Sequence, residues 1–557
     1  MEKFFPHLTS TGPAPSHRQV MDAYRAAFVQ GVADGSIRPL VLPYHFYGCI
    51  ALVIYLCIPH TKSRLAYAAR WPLLLAILAW QWKTTRETSS VSMATAYAAG
   101  MVGALGAVLA VTWLVFYKPQ FEARRVERMV KGLSTSGVAM ERQADSAGHR
   151  ETNGYTDQSA HGSATGHQER DGSVNLRYRE KPDSCKDGAS LPSSSGQELE
   201  YYWQSYPENF LDRYYWVSDL LINFRLPGWN LVIAPMPALP PFIKTQLGEP
   251  VDAKSRSGVS SVGLQRYDTR EELFRSRMPM FVVGYFLLDA LKVIMMKDPY
   301  YIFGPTTYDV PSHLQGYSPL TVGFIREFLS AIAILLSLEM TFLLAPVFIC
   351  LILGPNRYGL RAEAWYWPGI WGSWSNITEK GLAGLWGGWW HQSFRFVFTA
   401  PSNFLIREGF VRAGSPMAKF LALFFAFGIS GFLHFAGSAS QFPSTHAWHA
   451  PIFFTLQALG IALQLTACSI LYPTIEKLPR LVRRAGNFMF VFVWLSATGW
   501  WLADDFARGG IWLYEPIPIS PLRGLGFGVE GDGWWCWEHI GVGWYSGKHW
   551  WESGLAL

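Results

Sequence analysis

His434 is the residue whose type and surroundings point most directly to chemistry. It lies in the otherwise apolar segment 424–438, which continues a predicted membrane helix that begins near Met417. An ionisable side chain at membrane depth is costly, and it usually faces a cavity or the interior of a helix bundle. Small residues share its helix face, one turn away in either direction: Ser430, Gly431, Gly437 and Ser438. This pattern predicts either a groove that admits a neighbouring helix or an elongated substrate, or a structural histidine hydrogen-bonded across a close helix contact.

A second histidine occurs in the segment 385–395, which is rich in tryptophan and glycine. If this segment is helical, His391 and Arg395 lie one turn apart on one face, and Gly387 and Gly388 precede them by about one turn. Glycine lets a ligand or another backbone approach closely, and the planar guanidinium suits phosphate groups. The alternative is an amphipathic helix at the membrane interface with an aromatic belt.

Two other groups of polar residues interrupt apolar sequence. Asn223, Arg225 and Asn230 surround a Pro-Gly turn. They predict either part of a polar cavity wall or a self-satisfied turn whose arginine reaches lipid headgroups. Asp289 lies inside a predicted span with Lys292 three residues later. We expect these two side chains to pair for structural reasons.

The histidines do not have the pattern of a metal site. His446 and His449 follow His434 closely, but no carboxylate lies between His434 and His449. The HxxHH boxes of membrane di-iron enzymes are absent from the sequence. We therefore predict no metal, and we place His446 and His449 in an interfacial loop.

The composition is that of a membrane protein. Of the 557 residues, 50% are hydrophobic and only 16% are charged, against about 25% charged in typical soluble domains. The net charge of +6 comes from basic residues spread over helix ends, which indicates orientation and headgroup contact rather than nucleic-acid binding. The six scattered cysteines resemble small buried hydrophobic residues more than a disulfide framework.

The fold class predicted from these features is an all-α, polytopic transmembrane helical bundle with eight or nine spans. A span needs about 20 apolar residues to cross about 30 Å of hydrocarbon. The candidate spans are 39–58, 65–82, 91–117, 278–296, 322–353, 417–435, 451–472 and 487–503. The run 322–353 is either one long tilted helix or a re-entrant pair.

The chain divides into four parts. Residues 1–131 carry three amino-terminal spans, and residues 132–200 form a polar segment predicted to be a disordered loop. Lys118, Arg124 and Arg125 precede this loop, so the positive-inside rule places it in the cytosol. Residues 201–510 contain all the motifs described above, and residues 511–557 form a Trp-rich tail predicted to lie at the membrane interface.

Taken together, three motifs resemble those of the wax-synthase-like branch of the membrane-bound O-acyltransferase superfamily. The resembling segments are Asn223 to Asn230 (N-x-R-x-x-G-W-N), Trp386 to Gln392 (W-G-x-x-W-H-Q) and Ser430 to His434 (S-G-x-x-H). The resemblance covers about 210–501 and is closest to the terpenoid and meroterpenoid O-acetyltransferases of fungi. One departure is Gly388-Trp389, where related proteins often have basic residues, and it shifts a phosphate-binding role to Arg395.

The resemblance implies a mechanism. His434 would be the general base that deprotonates an acceptor hydroxyl as it attacks an acyl-CoA thioester, and His391 would be a second catalytic residue in the reaction chamber. Gln392 would orient the thioester carbonyl or the acceptor, and Arg395 would face the CoA phosphates. The other substrate-binding residues implied are Trp386, Trp390, Ser430, Asn223, Arg225 and Asn230.

The predicted activity is transfer of acetyl from acetyl-CoA, used as a co-substrate with no bound cofactor, to a lipophilic terpenoid alcohol. The predicted location is the endoplasmic reticulum membrane. Several phenylalanines favour a short acyl chain: Phe424, Phe425, Phe427, Phe432 and Phe435. One alternative is a wax-ester or glycerolipid acyltransferase. Another is a transporter of lipophilic solutes, although the inverted repeats typical of transporters are not found.

Overall fold

The computed structural model describes residues 14–130, 199–537 and 542–557. Nearly all of the predicted polar loop 132–200 lies outside these residues, and so do the predictions of its disorder and cytosolic location. The described chain consists mainly of helices, and the predicted all-α class is confirmed.

The longer helices are α1 (His17–Ala33), α2 (Tyr47–Cys57), α3 (Arg70–Glu87), α4 (Met93–Val111), α5 (Phe210–Ile222), α6 (Arg270–Met295), α7 (Pro319–Pro346), α8 (Ser375–Gly384), α9 (Arg395–Arg407), α10 (Pro416–Ala439), α11 (His449–Ile470), α12 (Arg480–Thr498) and α13 (Trp500–Arg508). Shorter helices connect them at Arg64–Ala68, Pro119–Glu122, Pro241–Gln246, Ala253–Ser257, Pro299–Phe303, Pro355–Tyr358, Tyr472–Ile475 and Pro521–Gly524.

Five helical segments in the described ranges are long and apolar enough to cross a membrane. They are Met93–Phe116, Arg270–Met295, Pro319–Leu353, Pro416–Ala439 and His449–Ile470. The predicted eight or nine spans are not confirmed, because the other three predicted segments form helices that are shorter or more polar. The α2 helix, for example, has 11 residues and is about 16 Å long at 1.5 Å per residue, which is well short of the hydrocarbon thickness.

The predicted run 322–353 forms one continuous helical segment rather than a re-entrant pair. Helix α7 continues beyond Pro346 as a π-helical stretch to Leu353. Proline removes a backbone donor and disturbs regular α-helical bonding, and the change in helix type begins directly after it. Glu339, inside this helix, is buried and forms a 3.1 Å ion pair with Arg277 of α6.

Helix α10, which carries His434, packs closely against α4 and α11. It begins with Ser415 as the N-cap, whose hydroxyl accepts a 3.1 Å hydrogen bond from the Ala418 N–H. A Cβ atom on Gly437 would lie 3.0 Å from the Tyr97 ring of α4, and one on Gly431 would lie 3.0 Å from the Pro451 Cα of α11. The small residues next to His434 therefore allow two neighbouring helices to approach closely.

Short strands join distant parts of the chain. They are β1 (Arg38–Pro39), β2 (Val41–Leu42), β3 (Thr88–Ser89), β4 (Arg125–Val130), β5 (Leu199–Gln204), β6 (Gly543–Tyr545) and β7 (Gly554–Ala556). β4 and β5 are antiparallel, with Arg125 opposite Gln204. β7 pairs with both β2 and β6, and Val41 lies opposite Ala556. The carboxy-terminal tail therefore returns to the amino-terminal helices, while Trp544 and Trp550 remain exposed.

The predicted pairing of Asp289 with Lys292 is wrong. Asp289 instead accepts hydrogen bonds from the Ser520 hydroxyl and, at 3.0 Å, from the Leu522 N–H. Lys292 donates to the Trp512 and Tyr514 carbonyls and forms a 3.6 Å ion pair with Glu515. The 511–524 segment approaches α6, so each buried charge has a closer partner there than on its own helix.

Candidate active site

His434 lies at the contact of three helices. Its ring stacks on Phe454 of α11, with ring centroids 4.9 Å apart and planes inclined by 26°. Its Nδ1 lies 2.6 Å from the hydroxyl oxygen of Tyr97 on α4. This geometry matches the predicted alternative of a histidine hydrogen-bonded across a close helix contact. His434 itself stays half-buried, so that its ring is not fully enclosed by these partners.

Tyr97 is the residue that the sequence motifs did not reveal. It is separated from His434 by 337 positions and belongs to the amino-terminal helices, outside the three motifs. Nothing in its local sequence distinguishes it from other tyrosines in apolar helices. Its pairing with His434 depends on the close approach of α4 and α10.

The segment 385–395 is not one continuous helix, so the prediction that His391 and Arg395 lie one turn apart is wrong. A π-helical stretch covers Leu385–Trp389, Trp390 is extended with φ −61° and ψ 150°, and α9 begins only at Arg395. The Trp390 N–H donates to the Leu385 carbonyl at 2.7 Å. This bond closes a wide turn, and His391 lies in the loop that follows it.

Gln392 and Arg395 stabilise this turn. The Gln392 amide donates to the Trp386 and Trp390 carbonyls at 3.2 and 2.5 Å. Arg395 donates to the Gly387 carbonyl and to the Gln392 side-chain oxygen, both at 2.9 Å. Both N–H groups of the amide are therefore used by the backbone, and the guanidinium is bonded to the same turn.

His391 lies among aromatic rings and has an unused nitrogen. The rings around it have centroids between 5.3 and 6.2 Å away and belong to Phe342, Trp371, Trp390 and Phe394. Its Nδ1 is buried, and no described residue forms a hydrogen bond with it. Burial, followed by the nearby charges of His434 and Arg225, lowers the pKa of His391 to about 3. The imidazole is therefore neutral near pH 7, with a nitrogen available to a ligand.

A chain of ring contacts connects the two histidines. Phe454, which stacks on His434, lies 6.3 Å from Trp386. Trp386 lies 5.2 Å from Trp390, whose ring is 5.3 Å from His391. The indole N–H of Trp386 is also buried without a hydrogen-bond partner among the described residues. These contacts link His434 and His391 through one continuous set of aromatic rings. Ser430 lies half-buried one turn before His434.

The motif at 223–230 forms a tight turn. Leu226 and Gly228 have positive φ values of 57° and 75°. The left-handed region is strained for leucine, and Asn223 supports it because its side-chain oxygen accepts a 3.1 Å hydrogen bond from the Leu226 N–H. Arg225 donates to the Pro368 and Gly369 carbonyls at 2.9 and 2.7 Å. The turn is therefore tied to the segment just before α8.

Two cavities meet at this turn. One has a volume of about 370 Å³, and its lining includes Asn223, Arg225, Phe342 and Ser393. The other has a volume of about 410 Å³, and its lining includes Asn230, Lys244, Lys254 and Arg266. Pro227 and Pro368 line both cavities. Asn223 and Arg225 thus complete a turn and also line a cavity. The predicted reach of the arginine to lipid headgroups is not seen, because its guanidinium donates to the Pro368 and Gly369 carbonyls.

Two further predictions concern residues near α10. His446 lies in the loop beyond the end of α10, but His449, which was predicted to lie in the same loop, is the first residue of α11. Their rings stack with centroids 4.9 Å apart. The His446 N–H donates to the Asp505 carboxylate at 3.0 Å. Within the described residues, no group of three or more histidine, cysteine or acidic side chains is arranged to hold a metal.

Of the phenylalanines expected to limit the acyl chain, Phe424 and Phe432 point outward and are 58% and 45% exposed, so that they do not shape the site.

Comparisons with known proteins agree with the motifs. Residues 367–456, which include both histidines, match the model of the membrane bound O-acyl transferase family. The chain is 31% identical to the acetyltransferase spyB of Aspergillus fumigatus over 99 residues, which is 18% of this chain and 16% of that protein. It is 29% identical to the acetyltransferase pyr8 of the same species over 154 residues, or 27% and 35% of the two chains.

A third relative is the acetyltransferase nanB of Aspergillus nanangensis, which is 37% identical over 68 residues, or 12% of this chain and 16% of that protein. The matched regions span about a third or less of the relatives' lengths. No solved structure matches the chain significantly. The predicted resemblance to the membrane-bound O-acyltransferases and to fungal acetyltransferases is confirmed.

Proposed function

We propose that this protein is a multi-pass membrane O-acyltransferase that transfers acetyl from acetyl-CoA to a hydroxyl group of a terpenoid or meroterpenoid. The observation that carries this proposal is the continuous set of aromatic ring contacts that links His434 to His391 through Phe454, Trp386 and Trp390. Both residues lie in the segment 367–456 that matches the acyltransferase family. The resemblance to fungal acetyltransferases supports acetyl as the transferred group.

The proposed reaction begins with deprotonation of the acceptor. Since Nδ1 of His434 is held by Tyr97, Nε2 removes the proton from the hydroxyl as its oxygen attacks the thioester carbonyl. The tetrahedral intermediate then collapses, the bond to sulfur breaks, and the imidazolium returns the proton to the leaving CoA thiolate. One ester and one free thiol result, and His434 is neutral again.

The developing oxyanion needs a hydrogen-bond donor. Gln392 was predicted to orient the thioester carbonyl or the acceptor, but its amide N–H groups already donate to the Trp386 and Trp390 carbonyls. The unpaired indole N–H of Trp386 is a better candidate because it is buried beside Phe454 and has no partner to give up. We propose that Trp386 stabilises the oxyanion and that Gln392 holds the turn that positions it.

The two cavities fit the two substrates. Cavities of about 300–1,000 Å³ typically bind small molecules. The 370 Å³ cavity combines apolar residues such as Ile222 and Ile349 with the polar Asn223 and Arg225. This lining suits a lipophilic alcohol. Lys254 in the 410 Å³ cavity suits the phosphates of CoA. Arg395 fills this role less well because its guanidinium is bonded to the turn.

The aromatic packing favours a short acyl chain over the wax-ester alternative. Phe454 covers one face of His434. The Trp386 ring lies 6.0 Å from Phe427 and 6.2 Å from Phe453. We propose that Phe454 and the rings packed behind it leave little room for a long acyl chain beside His434. For the location, we propose the endoplasmic reticulum membrane, where a membrane-dissolved alcohol and cytosolic acetyl-CoA are both accessible.

The proposal is tested with membranes from cells that express the full chain. The membranes are incubated with radiolabelled acetyl-CoA and a panel of terpenoid alcohols. Wild type and His446→Ala, a control in the exposed loop, should both label an organic-soluble ester, and His434→Ala should not. Equal labelling by His434→Ala would refute the assignment of the base. Product formed only with palmitoyl-CoA and a long-chain alcohol would favour the wax-ester enzyme.

A further inference from the structure

Tyr97 is buried at the contact between α4 and α10 and forms the hydrogen bond to His434. Tyr97 is 8% exposed. Its ring packs edge-on against Phe506, with centroids 5.3 Å apart, and the space on the other side is so narrow that a Cβ atom on Gly437 would lie 3.0 Å from the ring. Tyr97 therefore has little freedom to leave the position in which its hydroxyl meets Nδ1.

The stacking of His434 on Phe454 does not determine which nitrogen faces the substrate. Rotating the imidazole by 180° about its bond to Cβ keeps the ring in the same plane and preserves the stacking. The rotation exchanges Nδ1 with a carbon, and it likewise exchanges Nε2 with a carbon. Only a polar contact can distinguish the two orientations, and Tyr97 supplies the one hydrogen bond that a described residue makes to this ring.

We propose that Tyr97 is a positioning residue for His434. This inference rests on the proposed function. With Nδ1 held by the phenol, Nε2 is the nitrogen that faces the acceptor hydroxyl. For Nε2 to act as the base, the neutral ring carries its proton on Nδ1, which donates to the phenol oxygen of Tyr97. The same hydrogen bond stabilises the imidazolium after proton transfer, in a site where it has no contacting carboxylate among the described residues. Tyr97 lies outside the matched segment 367–456, so the active site needs the amino-terminal helices.

The test is Tyr97→Phe in the full-length membrane protein, with Tyr24→Phe as the matched control. Tyr24 is also buried, belongs to the same hydrophobic cluster, and its hydroxyl donates to the Ser90 carbonyl at 2.6 Å. The Tyr97 variant should lower kcat by about 10- to 100-fold, which is the typical cost of losing a partner that orients a metal-ligating histidine. The KM values for acetyl-CoA and the alcohol should stay within about twofold, because no substrate contact is removed.

Two outcomes would overturn the inference. One is a kcat of Tyr97→Phe equal to that of Tyr24→Phe. The other is a joint fall in kcat and in folded protein, measured by size-exclusion chromatography, which would indicate a purely structural tyrosine. Failure of the proposed function is distinguishable, since wild type would then form no ester or His434→Ala would retain full activity. If wild type is active and His434→Ala is not, the result for Tyr97→Phe alone decides.

Discussion

Phe454 should limit the length of the acyl chain that the enzyme accepts. It is 6% exposed and stacks on His434, so Phe454→Ala would create a space directly beside the ring of the proposed base. Each buried CH₂ group is worth about 0.8 kcal/mol, and butyryl has two more than acetyl. If both fill the space, the preference for butyryl-CoA over acetyl-CoA should rise by about 1.6 kcal/mol, which is roughly 15-fold in kcat/KM.

The assay compares kcat/KM for acetyl-, butyryl- and hexanoyl-CoA with a fixed terpenoid alcohol. Phe424→Ala is the matched control, because Phe424 lies on α10, the helix that carries His434, but is 58% exposed. Its acyl preference should equal that of wild type. Phe→Ala in a packed interior costs about 3–5 kcal/mol of stability, so the ratio between donors is used rather than the absolute rate. An unchanged ratio in Phe454→Ala would show that the acyl group lies elsewhere.

Three further predictions follow from the charged and polar groups. Lys254→Glu should raise the KM for acetyl-CoA about fivefold, since an exposed ion pair is worth up to about 1 kcal/mol. The control Lys477→Glu, which does not line the 410 Å³ cavity, should leave this KM unchanged. Equal KM values in the two variants would exclude this cavity as the phosphate site. Arg277→Ala should lower the thermal midpoint in detergent because it leaves Glu339 buried without its ion-pair partner, at a cost of about 3–5 kcal/mol. The double variant Arg277→Met with Glu339→Leu should recover most of the lost stability. No recovery would contradict an electrostatic cause. Burial lowers the pKa of His391 to about 3, below its unfolded value of about 6.5. Its contribution to stability is therefore complete above about pH 6.5 and is lost as the pH falls towards 3, by at most about 1.4 kcal/mol per pH unit. Thermal midpoints measured from pH 7.5 to 4.5 should decline less steeply in His391→Gln than in wild type, and parallel curves would refute this.

The sequence predicted the class of the protein because hydrophobic composition and helix length act locally. Long apolar runs form helices wherever they are placed in a membrane, and the observed 416–439 and 449–470 helices lie close to the predicted ones. The three motifs were recognisable for a similar reason. A histidine, a double glycine or an Asn-x-Arg turn has a chemical or conformational use that short spacing alone reveals.

Several details of the candidate site depended on contacts between segments that are distant in the chain. The break at Trp390 follows from hydrogen bonds made by Gln392 to the preceding turn, and the outward direction of Phe424 follows from the side on which α4 and α11 pack. Asp289 bonds to Ser520 rather than to Lys292 because a segment more than 200 positions away in the chain packs against it. No periodicity in the sequence contains that information.

The sequence by itself therefore determined that this is a helical membrane protein and that His434 and His391 are its candidate catalytic residues. The tertiary structure decided which of their nitrogens are held and which are free. Tyr97 meets His434 only because glycines on both α4 and α10 allow the two backbones to approach closely. A hydrogen bond of 2.6 Å requires positions accurate to a fraction of an ångström, and only the packing of whole helices fixes them to that accuracy.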